Sequence, residues 1–252
     1  MPPVCLHTAI AKDVADRLRL PLLDTERGSL YLGSTAPDIR VITRWERERT
    51  HFFDIHCFEV QSSVAAFLEA NPAISRPSTL SAPTAAFVTG YITHLVMDET
   101  WINTVYRPFF GERSPLGGSL RANIMDRALQ FSLDSQRRAD RELMRHVLEA
   151  VLRSSPHFDI EFIDGESLRR WHEVIVSLVG SEPDWERFRR GARRHLQEFG
   201  LDVGDEIEEF TRSLPDLVEE ALRYLTPERV HAFLEESLRG CLEATREYLE
   251  CA

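Results

Sequence analysis

A mostly apolar stretch, Phe87-Val-Thr-Gly-Tyr-Ile-Thr-His-Leu-Val-Met-Asp-Glu-Thr-Trp101, decides the fold, because it predicts a long helix buried inside the molecule. Within it, His94 and Asp98 are four residues apart, so both side chains project from one helix face, one turn apart. A buried carboxylate needs a partner, because an unpaired charge inside a protein is costly. Either a metal ion or a hydrogen bond between His94 and Asp98 would meet that need.

Three more candidate ligands lie upstream, each in a short distinctive setting. His7 stands at the start of an apolar helical pattern, Asp38 ends the turn Gly33-Ser-Thr-Ala-Pro-Asp38, and His51 precedes two phenylalanines. Together with the pair in the central helix they offer five nitrogen and oxygen donors, which suit a hard or borderline divalent ion, zinc first. The donor set contains no thiol, so it favours a catalytic site of one or two ions over a structural thiolate site.

Two acids near these ligands have further predicted roles. Asp54 lies three residues after His51 in a segment whose pattern indicates a helix, so its carboxylate is expected to accept the ring N–H of His51. Asp38 is a metal ligand, the N-cap of the helix that follows, or both, since a carboxylate has two oxygens. Pro37 restricts Ala36 to an extended backbone, which would hold Asp38 rigid.

The residues and their order resemble the zinc-dependent phospholipase C family. The similarity covers roughly the first 105 residues and rests on His7, Gly33-x-x-Ala-Pro-Asp38, Thr50-His51-Phe and Gly90-Tyr-x-x-His94-x-x-x-Asp98. The resemblance implies an all-α, multi-helix bundle of the phospholipase C and single-strand nuclease type. It also implies that Asp38, His51, His94 and Asp98 hold one zinc ion, that His7 holds a second, and that Asp98 bridges the two.

The sequence departs from the family pattern in two places. Secreted members use the amino group of an N-terminal Trp as a ligand, whereas this chain starts Met1-Pro-Pro-Val; removal of Met1 would place the Pro2 amine five residues before His7. The third zinc site of the family needs a later His followed four residues on by an acid, but His146 is followed by Glu149 at a spacing of three. We therefore expect the third site to be absent or rebuilt from Glu99, Asp126 or Asp134.

Composition restricts the class of partner. The chain of 252 residues has a formal net charge of -11 and is 43% hydrophobic. An acidic surface repels phosphate backbones, so broad binding to nucleic acid or to an anionic membrane is disfavoured, while a small phosphoester or a lipid head group held by metal remains compatible. The N-terminus lacks a basic signal region and no apolar run is long enough for a transmembrane helix, which predicts a cytoplasmic protein.

Two further features predict ordinary roles. The four cysteines form no Cys-x-x-Cys pair, so we expect reduced thiols rather than a zinc knuckle or a redox motif. The basic run Arg189-Arg-Gly-Ala-Arg-Arg194 is short and flanked by acids, which is typical of a solvated surface.

The periodicity of apolar residues predicts helices along the whole chain. We expect residues 1–110 to form a helical core around the metal site and residues 111–252 to form a helical C-terminal half of the same domain, whose last helix ends the core or forms a homodimer seam. In the loop 107–118, Arg107 or Arg113 is a candidate phosphate ligand. Helices are predicted at residues 7–20, 51–68, 84–106, 166–179, 182–199, 205–214, 215–225 and 227–249, and residues 120–152 are predicted to form one long helix or two.

Two functions from different classes are compatible with these residues. The first is a metal-dependent hydrolase of a phosphoester, in which one or two Zn²⁺ ions, or another divalent metal, lower the pKa of a bridging water and polarise a phosphoryl oxygen. Asp38 would act as general base if one of its oxygens is not used by the metal. The second is a non-catalytic helical protein that retains the cluster as a structural metal site or as a hydrogen-bonded His/Asp polar core.

Overall fold

A computed structural model describes residues 4–181 and 214–250, and within these ranges the chain forms helices and loops without a β-strand. The predicted all-α class is therefore confirmed for the described part of the chain. The predicted helix at 182–199, the basic run 189–194 and all but the last residue of the predicted helix at 205–214 lie outside it. The α-helices are α1 (Val4–Leu18), α2 (Pro21–Thr25), α3 (Arg27–Gly33), α4 (Arg40–Thr43), α5 (Glu48–His51), α6 (Ser63–Ala70), α7 (Ala82–Trp101), α8 (Leu120–Arg138), α9 (Arg141–Arg153), α10 (Gly165–Val179), α11 (Leu214–Leu225) and α12 (Pro227–Glu250). Short 3-10 helices span Ala36–Ile39, Pro72–Ile74 and Pro77–Thr79, and a π-helical segment spans Ile102–Phe110.

Helix α7 is the central helix, and most of its residues are buried, as the sequence predicts. Its first half packs with α3, α9 and α10 in one apolar core. Its last turns pack with α1, α8, α11 and α12 in a second core. The turn that carries His94 and Asp98 therefore lies where the two cores meet.

Helices α3 and α7 approach each other closely, and this approach depends on two glycines. A Cβ atom on Gly90 would lie 2.0 Å from the carbonyl oxygen of Leu30, and one on Gly33 would lie 2.0 Å from that of Phe87. Only residues without a Cβ permit such contact between backbones. Gly33 and Gly90 therefore serve the close approach of α3 and α7. The contact also brings the end of α3, and with it Ser34, against His94.

The helix predicted at residues 51–68 is wrong. Helix α5 ends at His51, because Phe52 adopts a left-handed backbone conformation with φ 53°, and residues 52–62 form an irregular loop. The Gln61 side chain ties this loop together, accepting from the Asp54 N–H and donating to the carbonyl oxygens of Asp54 and Cys57. Helix α6 then starts after Ser62, whose hydroxyl accepts from the Ala65 N–H.

Other boundaries also differ from the sequence-based prediction. Ala36 begins a 3-10 helix instead of being extended, and Asp38 caps no helix, since the N-cap of α4 is Ile39 without a side-chain bond. For residues 120–152, the alternative of two helices is the one observed: α8 and α9 are separate, because Asp140 caps the second helix through the Leu143 N–H at 3.0 Å. The predicted start of the last helix at Pro227 is confirmed.

Two features of the described residues bear on sequence-based expectations. None of the helices is both long and apolar enough to cross a lipid bilayer. The thiols of Cys5, Cys57 and Cys241 are free. Cys251 lies outside the described residues, and so does the Pro2 amine considered as a metal ligand.

Candidate metal centre

The five predicted ligands come together at one buried point. Asp98 is at the centre: its Oδ1 lies 3.5 Å from Nε2 of His7, and its Oδ2 lies 3.4 Å from Nε2 of His51 and 3.8 Å from Nε2 of His94. Asp38 completes the cluster, with its Oδ1 3.6 Å from Nε2 of His51. These side chains come from four separate segments of the chain: α1, the 3-10 helix Ala36–Ile39, α5 and α7.

The histidine rings are packed tightly against one another. The rings of His7 and His94 are stacked, with centroids 3.8 Å apart and planes inclined by 10°. The ring of His51 meets that of His94 edge-on at 5.3 Å. His94 thus contacts both other rings, and a positive charge on its imidazole next to them would be unfavourable.

Five buried polar atoms of the cluster have no hydrogen-bond partner: Nδ1 and Nε2 of His7, Nε2 of His51, Nε2 of His94 and Oδ1 of Asp98. Leaving such an atom unsatisfied costs about 1–3 kcal/mol, and native proteins satisfy nearly all of them. Each of these residues has an unsatisfied atom that faces another ligand across less than 4 Å. A divalent cation among these donors would satisfy them, so the residues fit a metal ion.

Hydrogen bonds behind two of the rings define which nitrogen is available. Nδ1 of His94 donates to the carbonyl oxygen of Ser34 at 2.8 Å, which leaves the Nε2 lone pair facing the cluster. The hydroxyl of Thr50 donates to the carbonyl oxygen of Arg47 and therefore accepts from Nδ1 of His51 at 2.9 Å. Such bonds from the outer nitrogen orient metal-binding histidines and make them better donors.

The backbone around the ligands is also held in place. Oδ1 of the buried Asp134 accepts from the backbone N–H groups of Cys5 (2.7 Å) and Leu6 (3.0 Å), so it caps the start of α1 next to His7. The hydroxyl of Tyr91 donates to the carbonyl oxygen of Thr50 at 2.6 Å, beside His51. These bonds fix the backbone beside His7 and His51, so the packing of the core sets where the two side chains lie.

Electrostatics favour ionised Asp38 and Asp98 and neutral His51 and His94. Burial lowers the pKa of His94 to about 3, with the neighbouring His7 acting in the same direction, and burial also lowers the pKa of His51. For Asp38, burial alone would raise the pKa, but His51, whose Nε2 faces it at 3.6 Å, and His94 lower it to about 2. The pKa of Asp98 is likewise held well below its usual range, mainly by His94 against the effect of burial. Deprotonated acids and neutral imidazoles are the forms that bind metal.

Arg47 belongs to the site, although it is not among the residues predicted from the sequence. Its Nη2 lies 3.1 Å from Oδ2 of Asp98, and its Nη1 donates to the carbonyl oxygen of Phe53 at 3.1 Å. The side chains of Arg47 and Asp38 are 11% and 13% exposed, whereas the other four are 3% or less, so these two form the most exposed edge of the cluster. The spacing of four residues between Arg47 and His51 was the available signal.

Asp54 does not have the role predicted for it. Its side chain is exposed, and its Oδ1 accepts from the backbone N–H of His56 at 2.8 Å. Thr50 is the residue that contacts the outer nitrogen of His51. The prediction assumed a continuous helix after His51, and the left-handed Phe52 turns the chain away instead.

The predicted phosphate ligands Arg107 and Arg113 have other partners. The Arg107 guanidinium donates to the carbonyl oxygens of Asp54, Ile55 and Cys57 and so holds the 52–62 loop. Arg113 stacks on Phe58, with its guanidinium carbon 3.7 Å from the ring centroid. Neither residue is placed as a free phosphate-binding group beside the cluster.

The acids considered for a third metal site are each used elsewhere. Glu99 accepts from the backbone N–H and the hydroxyl of Ser63, Asp126 accepts from Trp101 and Gln130, and Asp134 caps α1. His146 contacts the hydroxyl of Tyr31 at 3.0 Å. In the described ranges, sets of three or more ligand-type side chains within 4.8 Å occur only in the five-residue cluster: His7, His94 and Asp98, and Asp38, His51 and His94.

Comparisons of the chain with protein-family models, with characterised proteins and with solved structures found no match. The chemistry of the cluster is therefore the basis for assigning a function.

Proposed function

We propose that this protein is a metal-dependent hydrolase of phosphoesters that uses zinc, held by His7, Asp38, His51, His94 and Asp98. The observation that carries the proposal is the set of buried, unsatisfied nitrogen and oxygen atoms that face one another in this cluster. The resemblance of the sequence motifs to zinc-dependent phospholipase C supports the same reaction class, and the all-α fold is compatible with it.

The spacing of the donors supports zinc. A tetrahedral ion with ligands at about 2.0–2.1 Å separates those ligands by about 3.4 Å. The separations between the Nε2 atoms and the carboxylate oxygens, 3.4 to 3.8 Å, lie close to that value. Imidazole and carboxylate together suit zinc and several other divalent ions, so zinc is the first choice among them.

Arg47 and Asp38, at the most exposed edge of the cluster, are the residues placed to bind a substrate and to act on it. When bound, a divalent ion would supply an activated water and would polarise a phosphoryl oxygen. Arg47 places a buried positive charge next to this edge, where guanidinium N–H groups suit phosphate oxygens. Asp38 is the acid with access to solvent, so its second oxygen is the candidate general base. Its pKa of about 2 makes it a weak base and a good ligand.

The net charge of the chain and the limited exposure of the cluster restrict the class of substrate. The net charge of -11 disfavours a polyanion such as nucleic acid, whereas one phosphoester group can be bound locally by metal and guanidinium. We therefore propose a small phosphoester or a phosphorylated lipid head group as the substrate.

A non-catalytic function is the second candidate, and the burial of the cluster favours it. His7, His51, His94 and Asp98 are almost completely buried. Two surface grooves of about 560 and 640 Å³ are lined by none of the five ligands. On this reading, the cluster binds an ion, or a set of hydrogen bonds, that stabilises the junction of the two cores.

One experiment distinguishes the two candidates. Purified protein is assayed for bound zinc by elemental analysis and for hydrolysis of chromogenic phosphomonoesters and phosphodiesters, with and without added zinc. The His94→Ala variant should lose turnover while circular dichroism still shows the helical fold, and His231→Ala, which changes an exposed histidine, should retain it. Zinc binding without turnover of any substrate would favour the structural function, and absence of zinc under every loading condition would refute the metal centre.

A further inference from the structure

We infer that the cluster holds one divalent ion, not two, and that the Arg47 guanidinium takes the place of a second cation. This inference rests on the metal centre proposed above and departs from the two-ion arrangement that the family resemblance implies. Two independent features of the cluster lead to it, the sharing of His94 and the contact of Arg47 with Asp98.

His94 is common to both sets of ligands that could hold an ion. One set is His7, His94 and Asp98, and the other is Asp38, His51 and His94. The Nδ1 atom of His94 is already bonded to the carbonyl oxygen of Ser34, so only the Nε2 lone pair is available for metal. One lone pair binds one ion. The two sets therefore cannot both be complete at the same time.

Asp98 could relieve this conflict by giving one oxygen to each ion, but Arg47 prevents it. Oδ1 faces His7 at 3.5 Å and has no hydrogen-bond partner. Oδ2 is 3.4 Å from His51, so it could complete a set with His51 and Asp38 that does not need His94. That same oxygen lies 3.1 Å from the Arg47 guanidinium. A cation bound there would stand against a fixed positive charge at short range.

The charge balance of the buried cluster supports a single ion. Asp38 and Asp98 contribute two negative charges, and Arg47 contributes one positive charge. One divalent ion leaves the cluster with a single positive charge, whereas two ions would leave it with three. Uncompensated charge in a buried site is strongly unfavourable, so the Arg47 charge weighs against a second ion, and its removal lowers the two-ion total from three positive charges to two.

Arg47 is also held in position. Its Nη1 donates to the carbonyl oxygen of Phe53, so the guanidinium is fixed at two points, the Phe53 backbone and the Asp98 carboxylate. The side chain is only 11% exposed, which limits its freedom to swing into solvent when metal binds. Arg47 thus limits the number of bound ions by holding its positive charge against the Asp98 carboxylate.

The test is a count of zinc ions per chain. Protein stripped with a chelator is reloaded with excess zinc chloride, desalted and measured by elemental mass spectrometry. Wild-type protein should retain one ion. The Arg47→Met variant should retain two, because Oδ2 of Asp98 becomes available to the Asp38 and His51 pair. The matched Arg47→Lys variant keeps the positive charge and should retain one.

The outcomes separate this inference from the proposed function. Two ions in wild-type protein would overturn the inference and leave the metal centre intact. No ion in wild-type protein would overturn both. One ion in wild-type protein and one in Arg47→Met would overturn the role of Arg47. If Arg47→Met does not fold, Arg47→Gln, which keeps a polar amide near Phe53, takes its place in the comparison.

Discussion

His94 donates its Nδ1 proton to the carbonyl oxygen of Ser34 over 2.8 Å, although the two residues are 60 positions apart in the chain. This bond sets the tautomer of His94, because the other nitrogen must then present its lone pair to the cluster. It exists because Gly33 and Gly90 let α3 and α7 touch through their backbones. A packing contact between two helices thereby determines the chemistry of a candidate ligand.

Enlarging Gly90 should disturb this contact. A Cβ atom at that position would lie 2.0 Å from the Leu30 carbonyl oxygen and 2.7 Å from the Ser34 nitrogen, both of them backbone atoms that move only with α3. The gain in helix propensity is about 1 kcal/mol, while overpacking costs about 1–3 kcal/mol and lies at the upper end here because both neighbours are backbone atoms. We expect Gly90→Ala to lower the free energy of unfolding by about 2 kcal/mol, measured by urea denaturation.

A matched glycine provides the control for that substitution. Gly165 lies at the start of α10, and a Cβ there would approach only the Arg169 guanidinium, at 3.7 Å. Gly165→Ala should therefore leave the urea midpoint unchanged or raise it slightly. Equal effects of the two substitutions would show that the α3–α7 contact is not tight.

Removing the Thr50 hydroxyl should weaken metal binding without removing a ligand. Thr50 accepts from Nδ1 of His51 at 2.9 Å and thereby orients its ring. Loss of such an outer partner usually lowers metal affinity about 10–100-fold. We expect a reduction of that size for Thr50→Val in a competition titration with a zinc chelator.

Asp54→Asn is the control, because the exposed Asp54 carboxylate bonds to the His56 N–H and not to His51. Its zinc affinity should equal that of the wild type. A loss of affinity confined to Asp54→Asn would restore the original sequence-based role of Asp54 and remove that of Thr50.

Removal of metal should lower thermal stability. An ion present at about 100 times its dissociation constant stabilises the folded state by about 2.7 kcal/mol, which corresponds to about 5–10 °C in Tm for a chain of this size. Chelator should therefore lower the Tm of wild-type protein by that amount. Asp98→Asn, which alters the acid at the centre of the cluster, should show almost no chelator-dependent shift. A wild-type Tm that does not respond to chelator or zinc would contradict a bound ion.

Acid should destabilise the metal-free protein well above the pH at which ordinary carboxylates protonate. The pKa of His94 falls from 6.5 in the unfolded chain to about 3 in the fold, chiefly through burial. Between these two values the unfolded state binds a proton that the folded state does not, so stability decreases as the pH falls. For Asp38 the pKa falls from 3.8 to about 2, so its stabilising contribution is present above 3.8 and is lost towards 2. Each group changes the unfolding free energy by about 1.4 kcal/mol per pH unit within its window.

The measurement is the urea midpoint of chelator-treated protein at about pH 7.5 and about pH 5, a range in which only histidines of ordinary pKa titrate. We expect a lower midpoint at the lower pH, and a smaller difference in His94→Gln, which has no imidazole at that position. An unchanged wild-type midpoint between the two pH values would contradict a buried, neutral His94.

Some of the site was accessible to sequence reasoning because it depends on local spacing. His94 and Asp98 share a helix face by their separation of four residues, and the apolar pattern around them indicates burial wherever the helix packs. The failure at residues 51–68 has a definite cause. The left-handed Phe52 ends α5, and the Arg107 and Gln61 side chains hold the loop that follows, none of which is encoded in apolar periodicity.

The sequence by itself determined the helical class, the central buried helix and the types of side chain that it and its neighbours offer, since propensity, periodicity and i,i+4 spacing act over a few residues. Only the tertiary structure decided how those side chains meet. Asp98 is 51 residues from Arg47 and 60 residues separate His94 from Ser34, so both contacts form when helices pack against one another. Burial then removes water from the same point, which keeps His94 and His51 neutral, while the adjoining histidines hold Asp38 and Asp98 ionised against the effect of burial. The facing Nε2 atoms and Oδ1 of Asp98 are left without hydrogen-bond partners.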